Sequence, residues 1–97
     1  GPLMKWQVKF TNRTQKQILK LPLKVQNALE LLVEDIKELG PVQGKWPNYS
    51  KLSSTRHHCH LKKGKPPTYV AVWEEIGEKQ EKMVLVTYVG THEKAPY

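Results

Sequence analysis

Apolar and polar residues alternate at the start of the chain and again in its second half. Trp6, Val8 and Phe10 take every second position of residues 5–10, the period of a β-strand with one buried face. Later segments rich in strand-forming residues are separated by short turn-like sequences at 63–67 and 76–79, which suit hairpins. The later strands are predicted at residues 56–62, 68–75 and 82–89.

Between these regions the apolar spacing changes from two to three and four. This spacing predicts a helix with one apolar stripe, beginning at Pro22 and ended by Gly40 and Pro41. The positions of the stripe are Val25, Leu29, Leu32, Ile36 and Leu39. A shorter helix is predicted just before it, from an N-cap at Thr11 and Asn12 toward Leu21.

The predicted order is therefore strand, helix, helix, strand, strand, strand. Because the helix stripe must be buried, we expect a two-layer α+β domain with the helices packed on one face of an antiparallel sheet. The opposite face of the sheet is then free to be polar.

The chain length fits a single domain. Of its 97 residues, Gly1-Pro2-Leu3 resemble the scar of a cleaved expression tag, so we expect the domain to span residues 4–97. Cys59 is the single cysteine and cannot form an internal disulfide. No apolar run approaches the roughly 20 residues of a membrane helix. We therefore expect a cytoplasmic protein without membrane contact.

Charge is distributed unevenly along the chain, whose formal net charge is +7. Residues 41–70 contain no acidic residue. Such a basic band favours a polyanionic partner, although a merely solvated surface is an equal alternative on charge alone. The cations of the band are Lys45, Lys51, Arg56, Lys62, Lys63 and Lys65.

Histidines are concentrated on the strand predicted at 56–62. Side chains alternate across a strand, and Cys59 and Leu61 suit the core, so the opposite row should face solvent. The solvent-facing row is Arg56, His58, His60 and Lys62. His57 lies on the core side and is more simply a packing residue.

The last strand is followed by His92, which we expect at an edge of the sheet, with the tail folding back over the polar face toward Tyr97. Histidines and cations are the groups that RNA cleavage by its own 2′-hydroxyl requires: a base, an acid and a counter-charge for the phosphate. The simpler alternative is that His58, His60 and His92 are ordinary polar side chains on the surface, and that Tyr97 belongs to a frayed chain end.

A zinc site is a weaker interpretation of the histidine region. The cluster of residues 57–60 suggests zinc, but Cys59 points away from His58 and His60, and no second cysteine or acid pair completes a tetrahedron. We therefore expect neither a metal nor another cofactor. Trp46 lies inside the basic band, where it can stack on a base or simply pack against the core.

Four segments resemble the RelE superfamily of bacterial type II toxin–antitoxin toxins, in its histidine-using, YafQ-like branch. Of these, Gly-Thr-His at residues 90–92 is the most specific, while the helices match only as a pattern. The matching segments are GKWPNY at 44–49, HHCHL at 57–61, YVAVW at 69–73 and VGTHE at 89–93.

The resemblance implies a ribosome-dependent endoribonuclease that cleaves mRNA in the A site and is silenced by a cognate antitoxin. By position, His60 matches a general base, His92 an acid or phosphate contact, and Tyr97 an aromatic that orients the cut nucleotide. His58 stands where RelE has lysine.

RelE also has an arginine on the middle strand, which residues 67–69 lack. Arg56 or Lys62 would have to supply its charge, with Lys63, Lys51, Lys45 and Trp46 as further RNA-binding candidates.

Two alternatives to the nuclease remain. A ParE-like toxin shares the fold and inhibits DNA gyrase, but has no need of paired acid–base residues. A non-catalytic RNA- or ribosome-binding module would use only the basic band, and its RNA binding would survive the loss of His92.

Overall fold

The computed structural model describes residues 5–62, 64–78 and 80–97. Two helices pack against a five-stranded sheet, which confirms the predicted two-layer α+β architecture. No helix in these residues is long and apolar enough to cross a membrane. In chain order the elements are β1 (Gln7–Phe10), α1 (Asn12–Leu19), α2 (Leu23–Leu39), β2 (Ser50–Lys51), β3 (Arg56–His60), β4 (Tyr69–Ile76), β5 (Met83–Thr91) and a 3-10 turn (His92–Lys94).

The strands are arranged in the order β1-β5-β4-β3-β2. Hairpins join β3, β4 and β5 as the turn-like segments predicted, but β1 lies parallel to β5. The expectation of a wholly antiparallel sheet is wrong there, because the chain leaves β1 through both helices and returns to the sheet by a crossover. His92 is consequently not at a sheet edge: it follows an interior strand.

The segment predicted as a loop contains the short strand β2, which is the other edge of the sheet. Ser50 pairs with His58 and Lys51 pairs with His57. Two residues are too few for an alternation of polar and apolar positions to be visible in the sequence.

The main core lies between the helices and the sheet. Four of the five stripe positions of α2 are buried against Trp73, Cys59 and the valines of β5. Leu39 is the exception at 72% exposure. At that end of α2 the next residue, Gly40, packs closely against Trp6, which precedes β1: an added Cβ on Gly40 would lie 2.8 Å from Trp6 Nε1.

The opposite face of the sheet carries a second, smaller apolar cluster. Val70, Val72 and Tyr88 are buried there under Leu52 and Ala95. The expectation that this face is polar therefore holds around β3, while its centre is covered by the C-terminal tail.

Candidate active site

Four aromatic side chains form a closed ring on the open face of the sheet. His58 and Tyr97 have ring centroids 4.9 Å apart, and His60 and His92 are 5.5 Å apart. The ring closes through His92 and Tyr97 at 5.9 Å and through His58 and His60 at 6.2 Å. These four residues, the aromatic tetrad, come from β3 and the tail and are the four that the sequence singled out.

Strand β3 fixes the first half of the tetrad. His58 and His60 are two positions apart and therefore project from the same face of the sheet. Ser50 Oγ lies 3.0 Å from His58 Nδ1, a hydrogen bond in which either group can donate according to the imidazole tautomer. This bond holds the ring of His58 from the side of β2.

The end of β5 fixes the second half. The Tyr88 hydroxyl donates to the carbonyl oxygen of Thr91 at 2.7 Å, and the backbone N–H of His92 donates to the carbonyl oxygen of Thr68 at 2.8 Å. A Cβ on Gly90 would lie 2.6 Å from the Tyr88 hydroxyl. Glycine at position 90 is thus needed for Tyr88 to reach Thr91 and hold the chain that carries His92.

Burial and neighbouring charge keep the two strand-borne histidines neutral. Burial lowers the pKa of His60, and charge on His92 and on His58 lowers it further. Burial also lowers the pKa of His58; a backbone hydrogen bond of Ser50 partly opposes this shift, and charge on His92 adds to it. A neutral imidazole can accept a proton, so both side chains are available as bases near pH 7.

A pocket of about 630 Å³ opens beside the tetrad. His60 and His92 project into it from β3 and the tail, and this volume lies in the range of small-molecule and nucleotide sites. The remaining lining residues are Pro66, Pro67, Thr68, Thr91 and Glu93.

Arg56 holds the tail in place on the tetrad face. Its Nη2 donates to the carbonyl oxygen of Pro96 at 3.3 Å, next to Tyr97, and its Nε lies 4.0 Å from a carboxylate oxygen of Glu74. Lys62 is half-buried two residues beyond His60. Arg56 therefore lies beside the tetrad, and Lys62 lies close to it along the chain.

Three of the other predicted RNA contacts, Lys45, Trp46 and Lys51, are not brought to the tetrad. Lys51 pairs with His57 and so lies on the helix side of β2. Trp46 packs on the helix-side core, and its Nε1 donates to Asp35 Oδ2 at 2.8 Å. Lys45 lines a small groove beside α2 together with Trp46 and Asp35. Lys63 lies outside the described residues.

His57 is fully buried on the helix side of β3, as a packing residue should be. Its ring contacts those of Tyr49 and Trp73, with centroids 5.9 Å from each, and these two rings are 6.2 Å apart, so the three form a compact triangle. The Tyr49 hydroxyl lies 2.7 Å from Nδ1, and Nε2 lies 2.8 Å from Glu75 Oε2. These contacts join β3, β4 and the segment that leads into Ser50.

The sequence does not indicate Ser50 as a partner of His58, because a serine in a loop-like segment carries no periodic signal. Nor does it show that Pro66 and Pro67 line the pocket. Cys59, by contrast, is buried as predicted, and burial raises its pKa to about 12. Within the described ranges, no three His, Cys, Asp or Glu side chains are grouped so as to hold a metal ion.

Comparisons with known proteins identify the fold. No protein-family model and no curated protein sequence matches the chain. A free-state structure of a mutant of E. coli toxin RelE superimposes with a TM-score of 0.68 at 19% identity, covering 93% of this chain and 86% of that one. A RelE–RelB complex from Pyrococcus horikoshii OT3 gives 0.67 at 12% identity, covering 95% of this chain and 100% of that one.

The chain therefore has the RelE fold. The fold that the four sequence segments implied is confirmed by these two likenesses. Assignment to the YafQ-like branch and the roles of the tetrad remain predictions.

Proposed function

We propose that this protein is the toxin of a toxin–antitoxin system, and that it cleaves mRNA in the ribosomal A site with the aromatic tetrad as its catalytic centre. The observation that carries the proposal is the tetrad itself. Residues separated by up to 39 positions in the chain, chosen from the sequence for acid–base chemistry, meet on one face of a RelE fold.

In the proposed reaction, His60 accepts the proton of the RNA 2′-hydroxyl while the 2′-oxygen attacks phosphorus. Its lowered pKa, caused first by burial, keeps it in the basic form near neutral pH. The exposed His92, on the other side of the pocket, in its protonated form donates a proton to the 5′-oxygen as the phosphorus–oxygen bond breaks. The products are a 2′,3′-cyclic phosphate and a 5′-hydroxyl, and no water or metal takes part in this step.

The remaining tetrad members position the substrate. Tyr97 is 48% exposed and lies against both His58 and His92, so a base can stack on it next to the reacting phosphate. For His58, which Ser50 holds beside Tyr97, we propose a supporting contact to the substrate. Arg56 and Lys62 supply positive charge for the negative charge that builds on the phosphorus oxygens.

A cognate antitoxin is the second proposed partner, and a cytoplasmic location follows from partners of this kind. The Pyrococcus horikoshii structure is that of a RelE–RelB complex. In this chain the helical layer presents leucines that the fold leaves uncovered: Leu19, Leu23 and Leu31 are 81%, 71% and 64% exposed. Burial of such residues against a partner is favourable, so we expect the antitoxin to cover the helices.

The chemistry of the product ends tests the proposed mechanism. RNA cut by the wild-type protein should carry 5′-hydroxyl ends and cyclic or 3′-phosphate ends, detected by whether a kinase can label the products without prior phosphatase treatment. His60→Ala and His92→Ala should each reduce the cleavage rate by about 10²- to 10⁴-fold, the usual contribution of a general acid or base.

Lys24→Ala, an exposed change on α2, serves as the control and should cleave like the wild type. Products with a 5′-phosphate would contradict the 2′-hydroxyl mechanism, because they require attack by water. Growth arrest on expression without RNA cleavage would instead favour a gyrase-inhibiting toxin. RNA binding without cleavage would favour a non-catalytic module.

A further inference from the structure

A second groove lies at the end of β5, and three cations line it. It encloses about 370 Å³ between α1 and the 3-10 turn. Arg13 and Lys20 line one wall and Lys94 the other, and none of the lining residues is acidic. The sequence did not single out these three cations, since all lie outside the basic band of residues 41–70.

The three cations are brought together by the fold at some electrostatic cost. Arg13, Gln17 and Lys20 are spaced four and three apart, so they form one stripe on α1. The ion pairs formed by residues 5–62, 64–78 and 80–97 do not include Arg13, Lys20 or Lys94. Like charges gathered around one groove repel one another unless an anion lies between them.

The position of Arg13 strengthens this argument. It lies in the first turn of α1, which contains no acidic residue. A cation there is opposed by the positive end of the helix dipole, so it does not serve the stability of α1. An anion in the groove would be attracted both by the Arg13 side chain and by the helix end.

The groove adjoins the catalytic pocket. Thr91 borders both, with His60 and His92 on one side of it and Gly90 and Lys94 on the other. Tyr69 provides an aromatic side chain within the groove. A chain of phosphodiesters that occupies the pocket can thus continue past Thr91 into a groove of matching charge.

We infer that the Arg13–Lys20–Lys94 groove binds the phosphodiester backbone of the same single-stranded RNA whose scissile phosphate lies in the tetrad pocket. The inference rests on the proposed function for the direction of the strand toward the tetrad. It adds an extended binding site that lies on the helix side of β5, where neither the basic band nor the tetrad reaches.

The test measures binding of a fully 2′-O-methylated RNA, which cannot be cleaved by 2′-hydroxyl attack. The groove variant is Arg13→Gln/Lys94→Gln, with one cation removed from each wall. The control variant is Lys9→Gln/Lys24→Gln, which removes the same charge from exposed positions outside the groove. Fluorescence anisotropy over a series of salt concentrations gives the affinity and its salt dependence, and thermal unfolding shows that both variants are folded.

In the groove variant the slope of log affinity against log salt should become shallower by about 1.4, since each phosphate contact on a single strand contributes about 0.7 to its magnitude. The control variant should keep the wild-type slope. Equal slopes for the two variants would overturn the inference. The inference would also be overturned if the groove variant lost affinity for ribosomes and not for the free strand, because the groove would then contact ribosomal RNA.

Failure of the proposed function leaves a different result. If the protein binds the RNA through the groove but cuts no RNA, the groove proposal stands and the proposed nuclease function is refuted. If the protein cuts RNA with 5′-hydroxyl products but both variants bind the RNA equally well, the proposed nuclease function stands and the groove proposal is refuted.

Discussion

His57 and His58 are adjacent in the chain and differ completely in their surroundings. His57 is fully buried on the helix side, packed against two aromatic rings and hydrogen-bonded at both nitrogens. His58 lies on the opposite face, where Ser50 Oγ is 3.0 Å from its Nδ1 and its ring is 4.9 Å from that of Tyr97. The alternation of side chains along β3 therefore separates a histidine with hydrogen bonds at both nitrogens from one for which the described residues show a hydrogen bond at Nδ1 alone.

This contrast shows what distinguishes a structural histidine from a candidate catalytic one. Both ring nitrogens of His57 are engaged by Tyr49 and Glu75, so no proton site is left for a substrate. Two of the tetrad histidines, His60 and His92, instead line an open pocket that a substrate can enter. The two sides are also linked, because Tyr49 holds His57 and the next residue, Ser50, holds His58. If this comparison is right, changes on the two faces should affect different properties.

The largest effect on stability is expected at His57. His57→Ala would remove a buried ring and leave Tyr49 and Glu75 without their partner, a loss of about 3 kcal/mol in the free energy of unfolding. His57→Phe keeps the stacked ring but neither hydrogen bond, so about half of that loss should remain. Urea unfolding measures both, with His58→Ala as the matched control on the open face. An alanine variant at position 57 as stable as the wild type would contradict the buried role.

Gly90→Ala should disturb the tetrad from below while leaving its four side chains in the sequence. The new Cβ would lie 2.6 Å from the Tyr88 hydroxyl, which must move and give up its bond to Thr91. We expect a loss of about 1–3 kcal/mol in stability, as for an overpacked core, and a reduced cleavage rate because His92 is displaced. Gly44→Ala, where the added Cβ meets nothing within 4 Å, is the control. Unchanged cleavage by Gly90→Ala would show that Tyr88 does not position His92.

A smaller effect is expected from Ser50→Ala. Loss of the hydroxyl removes its hydrogen bond to Nδ1 of His58 and so loosens the ring. The backbone hydrogen bond of Ser50, which is the one that raises the pKa of His58, does not need the hydroxyl, and burial is the largest cause of the shift, so this pKa should stay below its ordinary value. Stability should change by no more than about 1 kcal/mol. Titration of the imidazole signals by NMR tests the prediction, and Ser53→Ala provides a serine control outside the tetrad. A pKa of His58 at or above its ordinary value in the variant would contradict burial as the main cause of the shift.

The smallest effects concern pH. Because burial and neighbouring charge lower the pKa of His60 and of His58, the unfolded chain binds more protons than the folded one below the unfolded value of about 6.5. Stability contributed by these groups should therefore be present above pH 6.5 and fall as the pH decreases through that value. The acid limb of cleavage should likewise lie below pH 6.5, since His60 must be neutral to act as a base.

His92→Gln sharpens this prediction. Removing the charge of His92 should raise the pKa of His60 toward its ordinary value, by less than the whole shift because burial is the larger cause. NMR titration of the His60 signals in the variant and in the wild type measures the difference. An unchanged or lowered pKa of His60 would mean that the two rings do not interact in solution.

Local patterns were sufficient for most of the fold. The spacing of α2, the Thr11 cap of α1 and the hairpins of β3, β4 and β5 are all visible as periods or turn residues and are confirmed. The parallel pairing of β1 and the presence of β2 were not predicted, because both depend on which distant strand lies alongside. Leu39 follows the helix period yet is exposed, since period alone does not show where the sheet ends.

The candidate site divided in the same way. Alternation along β3 and the position of His92 after β5 were enough to predict that the tetrad meets on one face. The basic band was less informative, because proximity in sequence placed Trp46 and Lys45 with the histidines while the fold places them against α2. Arg13, Lys20 and Lys94 could not be grouped from the sequence, since α1 and the tail meet only in three dimensions.

The central claim is that the open-face histidines cut mRNA on the ribosome, and toeprinting of a translating mRNA tests it most directly. The wild-type protein, His60→Ala, His92→Ala and the packing variant His57→Phe would be compared at equal folded concentration. We predict new cleavage in the A-site codon for the wild type and for His57→Phe, and its loss in both tetrad variants. Cleavage that persists without His60 and His92, or that disappears with His57→Phe alone, would contradict the account.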